Sequence, residues 1–126
     1  MNQQNENALS LGRVAPMIAV TDIGSAKSFY KAAFGLEPVF ENGNPVGFCI
    51  LKKDAAELHL TLQRDWKGQT FNVAHILVKD ADAIYVQVQK AGARIIKRLQ
   101  VKDYGLTAFV FEDPFGNRID VGAPNP

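Results

Sequence analysis

Asp120 is the most unusual charged position in the sequence, because it stands between Ile119 and Val121 near the end of the chain. Side chains alternate between the two faces of a β-strand, so this pattern predicts a half-buried strand with a carboxylate on its second face. An ionised carboxylate is costly to bury without a partner. Asp120 is therefore expected to face water, a cavity or a cation.

A second set of polar side chains alternates with leucines between Glu57 and Gln63, in the order Glu57-Leu58-His59-Leu60-Thr61-Leu62-Gln63. A period of two predicts a strand, and its leucine side is expected to pack toward a helix. The polar side, which includes His59, either meets solvent or lines a cleft, and the pattern leaves both readings open. It contributes a carboxylate and an imidazole to whichever surface it faces.

One series of elements is predicted to position this polar strand. Residues 14–20 form a first strand, and Pro16 assigns it to a sheet edge or a bulge because proline cannot donate to a ladder. A helix follows, which Asp22 or Ser25 caps and Gly35 ends. Three short strands are then expected at residues 37–41, 46–52 and 57–63.

A second series repeats the first and carries Asp120. It begins with a strand at residues 73–78 and a helix that Asp80 or Asp82 caps and Gly92 stops. The remaining strands are expected at residues 94–99, 106–112 and 118–121, with a turn over Asp113-Pro114-Phe115-Gly116-Asn117. Two series in the same order indicate an internal duplication of about 55 to 60 residues.

The composition indicates a single domain without a nucleic-acid or membrane partner. The chain has 126 residues and a formal net charge of +1, with no basic stripe. We expect a flexible leader at residues 1–12 and one domain at 13–126, with modules at about 13–63 and 72–123. The lone cysteine, Cys49, offers no disulfide, which together with the absence of a signal peptide or membrane span predicts a cytoplasmic protein.

The motifs together resemble the vicinal oxygen chelate superfamily, which contains glyoxalases, bleomycin-resistance proteins and dioxygenases. The likeness rests on the entry Ala15-Pro16-Met17-Ile18-Ala19-Val20-Thr21-Asp22 leading to Phe29-Tyr30, and on the closing segment from Asp113 to Asp120. The sequence looks most like the bleomycin-resistance branch. The features that resemble this branch are Pro16 without a preceding histidine, the strand that starts at Glu57, Ile84-Tyr85 after Asp80-Ala81-Asp82, and the pair Tyr104-Gly105.

This resemblance implies an α+β fold with two βαβββ modules per chain, whose curved mixed sheets form cups. It also implies a homodimer that sequesters a small molecule in a cleft at the dimer interface. Antibiotics are among the expected ligands, and no cofactor is expected. The residues expected to contact the ligand are Trp66, Phe71, Tyr104, Phe115, Glu57, His59 and Asp120, with Glu112 as a further charge. The near-neutral net charge argues against the cationic drug bleomycin as the actual ligand.

The resemblance also implies an alternative, a lyase or dioxygenase that uses one divalent metal such as Zn, Ni, Mn or Fe. The metal positions of the enzyme branches fall here on Ala15, His59, His75 and Asp120, and alanine cannot coordinate. Val73 competes with His75 for its position, because the following loop is short. Asp120 has a simpler alternative as an ion-pair partner of Arg118 or of a lysine in a partner chain. A third reading is a dimer whose cups are vestigial.

Overall fold

The computed structural model describes residues 8–125, so the first seven residues of the leader predicted at residues 1–12 lie outside it. Module one contains β1 (Met17–Val20), α1 (Ile23–Phe34), β2 (Glu37–Gly43), β3 (Val46–Lys53) and β4 (Ala56–Leu62). Module two contains β5 (Asn72–Leu77), α2 (Ala81–Lys90), β6 (Arg94–Val101), β7 (Leu106–Glu112) and β8 (Arg118–Pro124). The predicted pair of βαβββ modules is therefore confirmed.

The two helices begin at aspartates that were among the predicted caps. The side chain of Asp22 accepts a hydrogen bond from the backbone N–H of Gly24 at 3.0 Å, and Asp80 accepts one from Ala83 at 3.0 Å. Helix α1 ends at Gly35, whose φ of 75° lies in the left-handed region that favours glycine. Within residues 8–125, neither helix has the length and apolar character that crossing a membrane requires.

Each module forms a four-stranded mixed sheet with the same strand order. Sheet one runs β1-β4-β3-β2, and sheet two runs β5-β8-β7-β6. Strands β1 and β4 are parallel, as are β5 and β8, whereas the other neighbours are antiparallel. Strand β1 lies at a sheet edge, as Pro16 predicts.

One face of each sheet packs against the helices and forms a continuous core. Leu58 and Leu60 of β4 are buried there, as are Ile119 and Val121 of β8. The leucine side of β4 therefore faces the helix layer, as predicted. Helix α1 contacts β2, β3 and β4, α2 contacts β6, β7 and β8, and the two helices contact each other.

A buried polar network joins the two modules through the turn between β7 and β8. The Tyr30 hydroxyl of α1 donates to Asp113 Oδ2 at 2.6 Å, and the Asn117 side chain donates to the backbone carbonyl of Ala19 in β1 at 2.7 Å. Asp113 also accepts hydrogen bonds from the backbone N–H groups of Phe115 and Asn117 at 2.9 Å each, and from the Asn117 side chain at 3.1 Å. The groups that contact the Asp113 carboxylate are all hydrogen-bond donors, which suits its ionised form.

Asp113 is only 3% exposed, and burial raises its pKa above the ordinary value. The hydrogen bonds from Tyr30 and Asn117 oppose this shift because they favour the charged form. Burial also raises the pKa of Tyr30 well above its usual range, and the neighbouring Asp113 charge adds to that effect. The network is therefore a fixed donor–acceptor arrangement at neutral pH.

We predict that Tyr30→Phe lowers the free energy of unfolding by about 1–3 kcal/mol at neutral pH, because it leaves a buried carboxylate short of a donor. Removing this bond also raises the pKa of Asp113 further. The decrease in the free energy of unfolding should reach its full size at a pH where Asp113 is ionised. It should shrink as the pH falls through the pKa of Asp113, because the protonated carboxyl depends less on the donor. Urea unfolding at neutral and acidic pH measures both effects.

The matched control is Tyr85→Phe on α2. The Tyr85 ring packs against Phe109 with centroids 5.0 Å apart, and its hydroxyl makes no hydrogen bond among residues 8–125. We expect this substitution to change the free energy of unfolding by less than about 0.5 kcal/mol at either pH. Equal losses in the two variants would contradict the role given to the Tyr30–Asp113 bond.

Candidate functional site

The faces of the two sheets that turn away from the helices carry the candidate functional residues. Strand pairing assigns six defining residues to the module-one open face, namely Met17, Phe40, Phe48, Lys52, Glu57 and His59. It assigns six to the module-two open face, namely His75, Lys97, Val110, Glu112, Arg118 and Asp120. Each face has a carboxylate next to a histidine.

The module-one open face contains an ionic cluster around Glu57. His59 Nε2 lies 2.6 Å from Glu57 Oε2, while Arg13 Nε lies 3.1 Å and Lys52 Nζ 3.8 Å from Glu57 Oε1. The hydrogen bond with His59 lowers the pKa of Glu57 below its ordinary value, and the charges of Arg13 and Lys52 add to this effect. Glu57 is therefore a charge whose partners are already in place.

An apolar surface that the sequence reasoning missed adjoins this cluster. The Phe48 ring meets the His59 ring edge to face with centroids 5.4 Å apart, and Phe40 lies 6.2 Å from Phe48. Phe40 is 52% exposed and Met17, which pairs in register with His59, is 59% exposed. Phe48 belongs to the run Phe48-Cys49-Ile50, and only its register opposite Thr61 of β4 shows which face it occupies.

The module-two open face pairs His75 with Asp120. His75 Nδ1 lies 2.8 Å from Asp120 Oδ2, because β5 and β8 are parallel and these residues are register partners. The partner of Asp120 is thus His75, and Arg118 instead contacts Glu112 at 3.3 Å.

The three predicted metal residues are divided between the two open faces and do not meet as a triad within one chain. His59 is bonded to Glu57 on the module-one open face, whereas His75 and Asp120 lie on the module-two open face. In the part of the chain that the structure describes, no three side chains of His, Cys, Asp or Glu are grouped so that they could hold a metal ion. A metal site that uses His59, His75 and Asp120 stays a prediction.

The four aromatic residues that were predicted to contact a ligand lie in different segments. Trp66 is half-buried between β4 and β5, and its Nε1 has no hydrogen-bond partner among residues 8–125. Phe71 is exposed just before β5, and Tyr104 is exposed in the turn between β6 and β7. Phe115 packs against the hydrophobic core. Their assignment to a ligand site stays a prediction.

A cleft between the modules is bordered by one charged or polar residue from each open face. It has a volume of about 340 Å³, and its walls include Glu57 from module one and His75 from module two. The other walls are mainly apolar, with Val14, Pro16 and Leu77 among them. One member of each carboxylate–histidine pair therefore borders the same cavity.

Comparisons with known proteins place this arrangement in context. The chain matches the family model described as Glyoxalase/Bleomycin resistance protein/Dioxygenase superfamily over residues 10–121. A search of curated proteins finds no match. Solved structures with a similar fold include a member of that superfamily from Sphaerobacter thermophilus DSM 20745, with 24% identity, a TM-score of 0.73 and coverage of 90% of this chain and 98% of that chain.

Two further solved structures share the fold. TioX from Micromonospora sp. ML1 has 18% identity and a TM-score of 0.71, with 91% of this chain and 98% of that chain covered. A bleomycin-binding protein in complex with bleomycin has 20% identity and a TM-score of 0.73, with 91% of this chain and all of that chain (100%) covered. At these identities the likeness shows the fold alone.

We predict that Glu57→Gln makes the protein less stable at neutral pH. Because the pKa of Glu57 is lowered in the folded state, its contribution is present above the pKa of an unfolded glutamate and is lost as the pH falls through the lowered value. The unfolding curves of the variant and the parent protein should therefore converge in acid. Denaturant unfolding across a pH series measures this.

Glu37→Gln is the control, since it removes a carboxylate that contacts Lys31 from the outer strand β2. We expect only a small change in stability from it, because exposed ion pairs contribute little. A difference between Glu57→Gln and the parent protein that stays constant at every pH would point to packing and would refute the ionic role of Glu57.

Proposed function

The chain belongs to the Glyoxalase/Bleomycin resistance protein/Dioxygenase superfamily, and we propose that it is a small-molecule-binding protein that sequesters its ligand in a cleft completed by a second copy. The observation that carries this proposal is the cleft of about 340 Å³ that Glu57 and His75 border. Sites for small organic molecules measure about 300–1,000 Å³ and combine apolar walls with a few polar groups. The cleft has both properties.

The exposed aromatic and aliphatic side chains support a binding role over a purely structural one. Phe40 and Phe48 offer ring surfaces beside His59, and flat ligands gain contact area on such surfaces. The solved structure of a bleomycin-binding protein with bleomycin adds support, because a protein with a similar fold binds an antibiotic. Antibiotics are accordingly among the candidate ligands of this chain, although its near-neutral charge argues against bleomycin itself.

A second copy of the chain is the proposed partner in completing the site. Met17, Phe40 and Leu77 expose more than half of their surface on strands of the two sheets, and Val14 is 94% exposed beside them. Exposed apolar patches on this scale commonly mark protein interfaces or ligand grooves. Association of two copies would cover these side chains and enclose a ligand between them.

A metal-dependent lyase or dioxygenase is the second candidate, and one observation favours it. Each open face already holds one histidine beside one carboxylate, Glu57 with His59 and Asp120 with His75, and these are common donors for Zn, Mn or Fe. Within one chain the donors do not fit a metal, because each face supplies two of them and Ala15 supplies none. We therefore derive no catalytic step from a metal.

We predict that the protein sediments as a dimer and binds at least one antibiotic from a panel of planar drugs that includes bleomycin. Calorimetry, and fluorescence of the single tryptophan Trp66, measure affinity and stoichiometry. Leu77→Ala should weaken binding about tenfold, because the cleft wall loses apolar contact of about 1.4 kcal/mol. The control is Val39→Ala, which truncates an exposed apolar residue of β2 that does not line the cleft.

Binding that both variants weaken equally would place the ligand elsewhere. A monomer that binds nothing in the panel would contradict the proposed function and would favour the reading in which the cups are vestigial. A dimer with a tight ligand, whose binding only Leu77→Ala weakens, is the expected result.

We predict that elemental analysis of the purified protein finds no stoichiometric metal, and that titration with nickel, zinc, manganese or iron(II) shows no tight site. The reason is that the donors are divided between two faces, with one carboxylate–histidine pair on each and no third His, Cys, Asp or Glu beside either pair among residues 8–125. The test variant is the double substitution His59→Ala with Asp120→Ala, and Asp103→Ala in an exposed turn is its control. A bound metal that only the double variant loses would overturn the binding-protein proposal in favour of the enzyme.

A further inference from the structure

A second cavity lies at the junction of the modules, between the two helices and the strands next to them. Its volume is about 320 Å³. Phe34 at the end of α1 and Ile84 of α2 both line it. The other walls come from Leu36, from the turn between β3 and β4, and from the end of β5 with Val78 after it. We call this space the helix-side cavity.

The walls of the helix-side cavity are mainly apolar and are fixed by the core. Leu36 is only 2% exposed and belongs to the core, and Phe34, Val78 and Ile84 pack against it. Small-molecule sites measure about 300–1,000 Å³ and have mostly apolar walls with a few polar groups. The helix-side cavity has the size and the apolar walls of such a site.

Two lysines are part of the lining. Lys53 is the last residue of β3, and Lys79 directly precedes Asp80, which caps α2. Neither lysine makes an ion pair with an acid among residues 8–125. Asp80 instead accepts a hydrogen bond from the backbone N–H of Ala83. Asp54 is the one acid of the lining, so two positive charges border the cavity against one negative charge.

The side chain of Lys53 lies across Gly35, next to the apolar walls. A Cβ atom built on Gly35 would lie 3.3 Å from Lys53 Cδ and 3.7 Å from Lys53 Nζ. Gly35 stands between Phe34 and Leu36, and both of these residues are walls of the cavity. The ammonium group of Lys53 is therefore beside the apolar space.

These two properties together define the class of molecule that the helix-side cavity suits. An aliphatic chain gains free energy when it leaves water for apolar walls, and an anionic end group is attracted by ammonium groups. A chain with a cationic end group would meet the same walls but would be repelled by the two lysines. The complementary molecule is therefore an aliphatic chain with one negative charge.

We propose that the helix-side cavity is a second ligand site, and that it binds a medium-chain aliphatic carboxylate. The chain packs on Leu36 and Ile84, and the carboxylate binds Lys53 and Lys79 at the edge of the cavity.

This site is distinct from the cleft of the proposed function, and the inference does not rest on that function. His75 and Val14 border only the cleft, whereas Lys53 and Val78 border only the helix-side cavity. Leu77 borders both spaces, so Leu77→Ala cannot separate them. Methyl NMR signals of the two valines can, because each valine reports on one space.

The test uses three probes with the same chain and different end groups: octanoate, 1-octanol and octylammonium. Calorimetry on the full-length protein measures their affinities, and methyl NMR locates them. We expect octanoate to bind about tenfold more tightly than octylammonium, with 1-octanol between them, and to shift the signal of Val78 but not that of Val14. Hexanoate should bind about fourfold more weakly for each methylene that it lacks.

The double variant Lys53→Gln with Lys79→Gln tests the charges. We expect it to weaken binding of octanoate about tenfold and to leave 1-octanol unchanged, because only the charged end group is affected. The control is Lys90→Gln with Lys97→Gln, which removes the same charge outside the cavity and should have no effect. All four lysines are exposed, so both variants should unfold at the temperature of the parent protein.

Four results would overturn the inference. They are equal affinity for octanoate and octylammonium, equal losses in the two double variants, shifts at Val14 in place of Val78, and failure of octanoate to bind. None of the four bears on the antibiotic panel, so the proposed function of the cleft can hold while this inference fails. Selective loss of octanoate in the double variant at Lys53 and Lys79, with the shift at Val78, supports the second site.

Discussion

The buried carboxylate of Asp113 is the constraint on which the arrangement of the two modules depends. Burying a carboxylate is costly unless donors surround it, and here the donors come from both modules. Tyr30 of α1 reaches it from module one, while Asn117 reaches from the same turn to the carbonyl of Ala19 in β1. Moving the modules apart would break the bond from the Tyr30 hydroxyl to Asp113 and the bond from Asn117 to the Ala19 carbonyl.

This junction determines which surfaces remain for function. Because the helices and the inner sheet faces share one core at the junction, the other face of each sheet has no covering element among residues 8–125. The polar residues of β4 and β8 therefore project away from the core, and the cleft between the modules receives Glu57 and His75. The functional surface is thus a consequence of how the core is closed.

The sequence predicted the elements well because their signals are local. Asp22 and Asp80 cap helices, the leucines of β4 face the core, and the turn after Glu112 was identified from Asp113 to Asn117. The sequence did not show that Asp113 and Asn117 are buried, since ordinary turn chemistry also explains them. Their role depends on Tyr30, which is 83 positions away from Asp113 in the chain.

The candidate site was harder to predict for the same reason. Asp120 was correctly expected to leave the core, but its partner His75 lies 45 positions earlier and meets it only through the register of a parallel pair. Phe48 was overlooked because Phe48-Cys49-Ile50 reads as a buried run, although only Cys49 is fully buried. Pairing across strands decides these contacts, and no local pattern encodes it.

The bonds already made on the open faces bear on which ligand this fold accommodates here. Each histidine gives one ring nitrogen to a carboxylate, at 2.6 Å for His59 and 2.8 Å for His75, and its second nitrogen is not used in that bond, so neither bond by itself excludes a metal. Among residues 8–125, what neither pair has is a third side chain of His, Cys, Asp or Glu beside it. One fold hosts metal chemistry and simple binding, so such side-chain commitments, more than the fold itself, favour one use over the other.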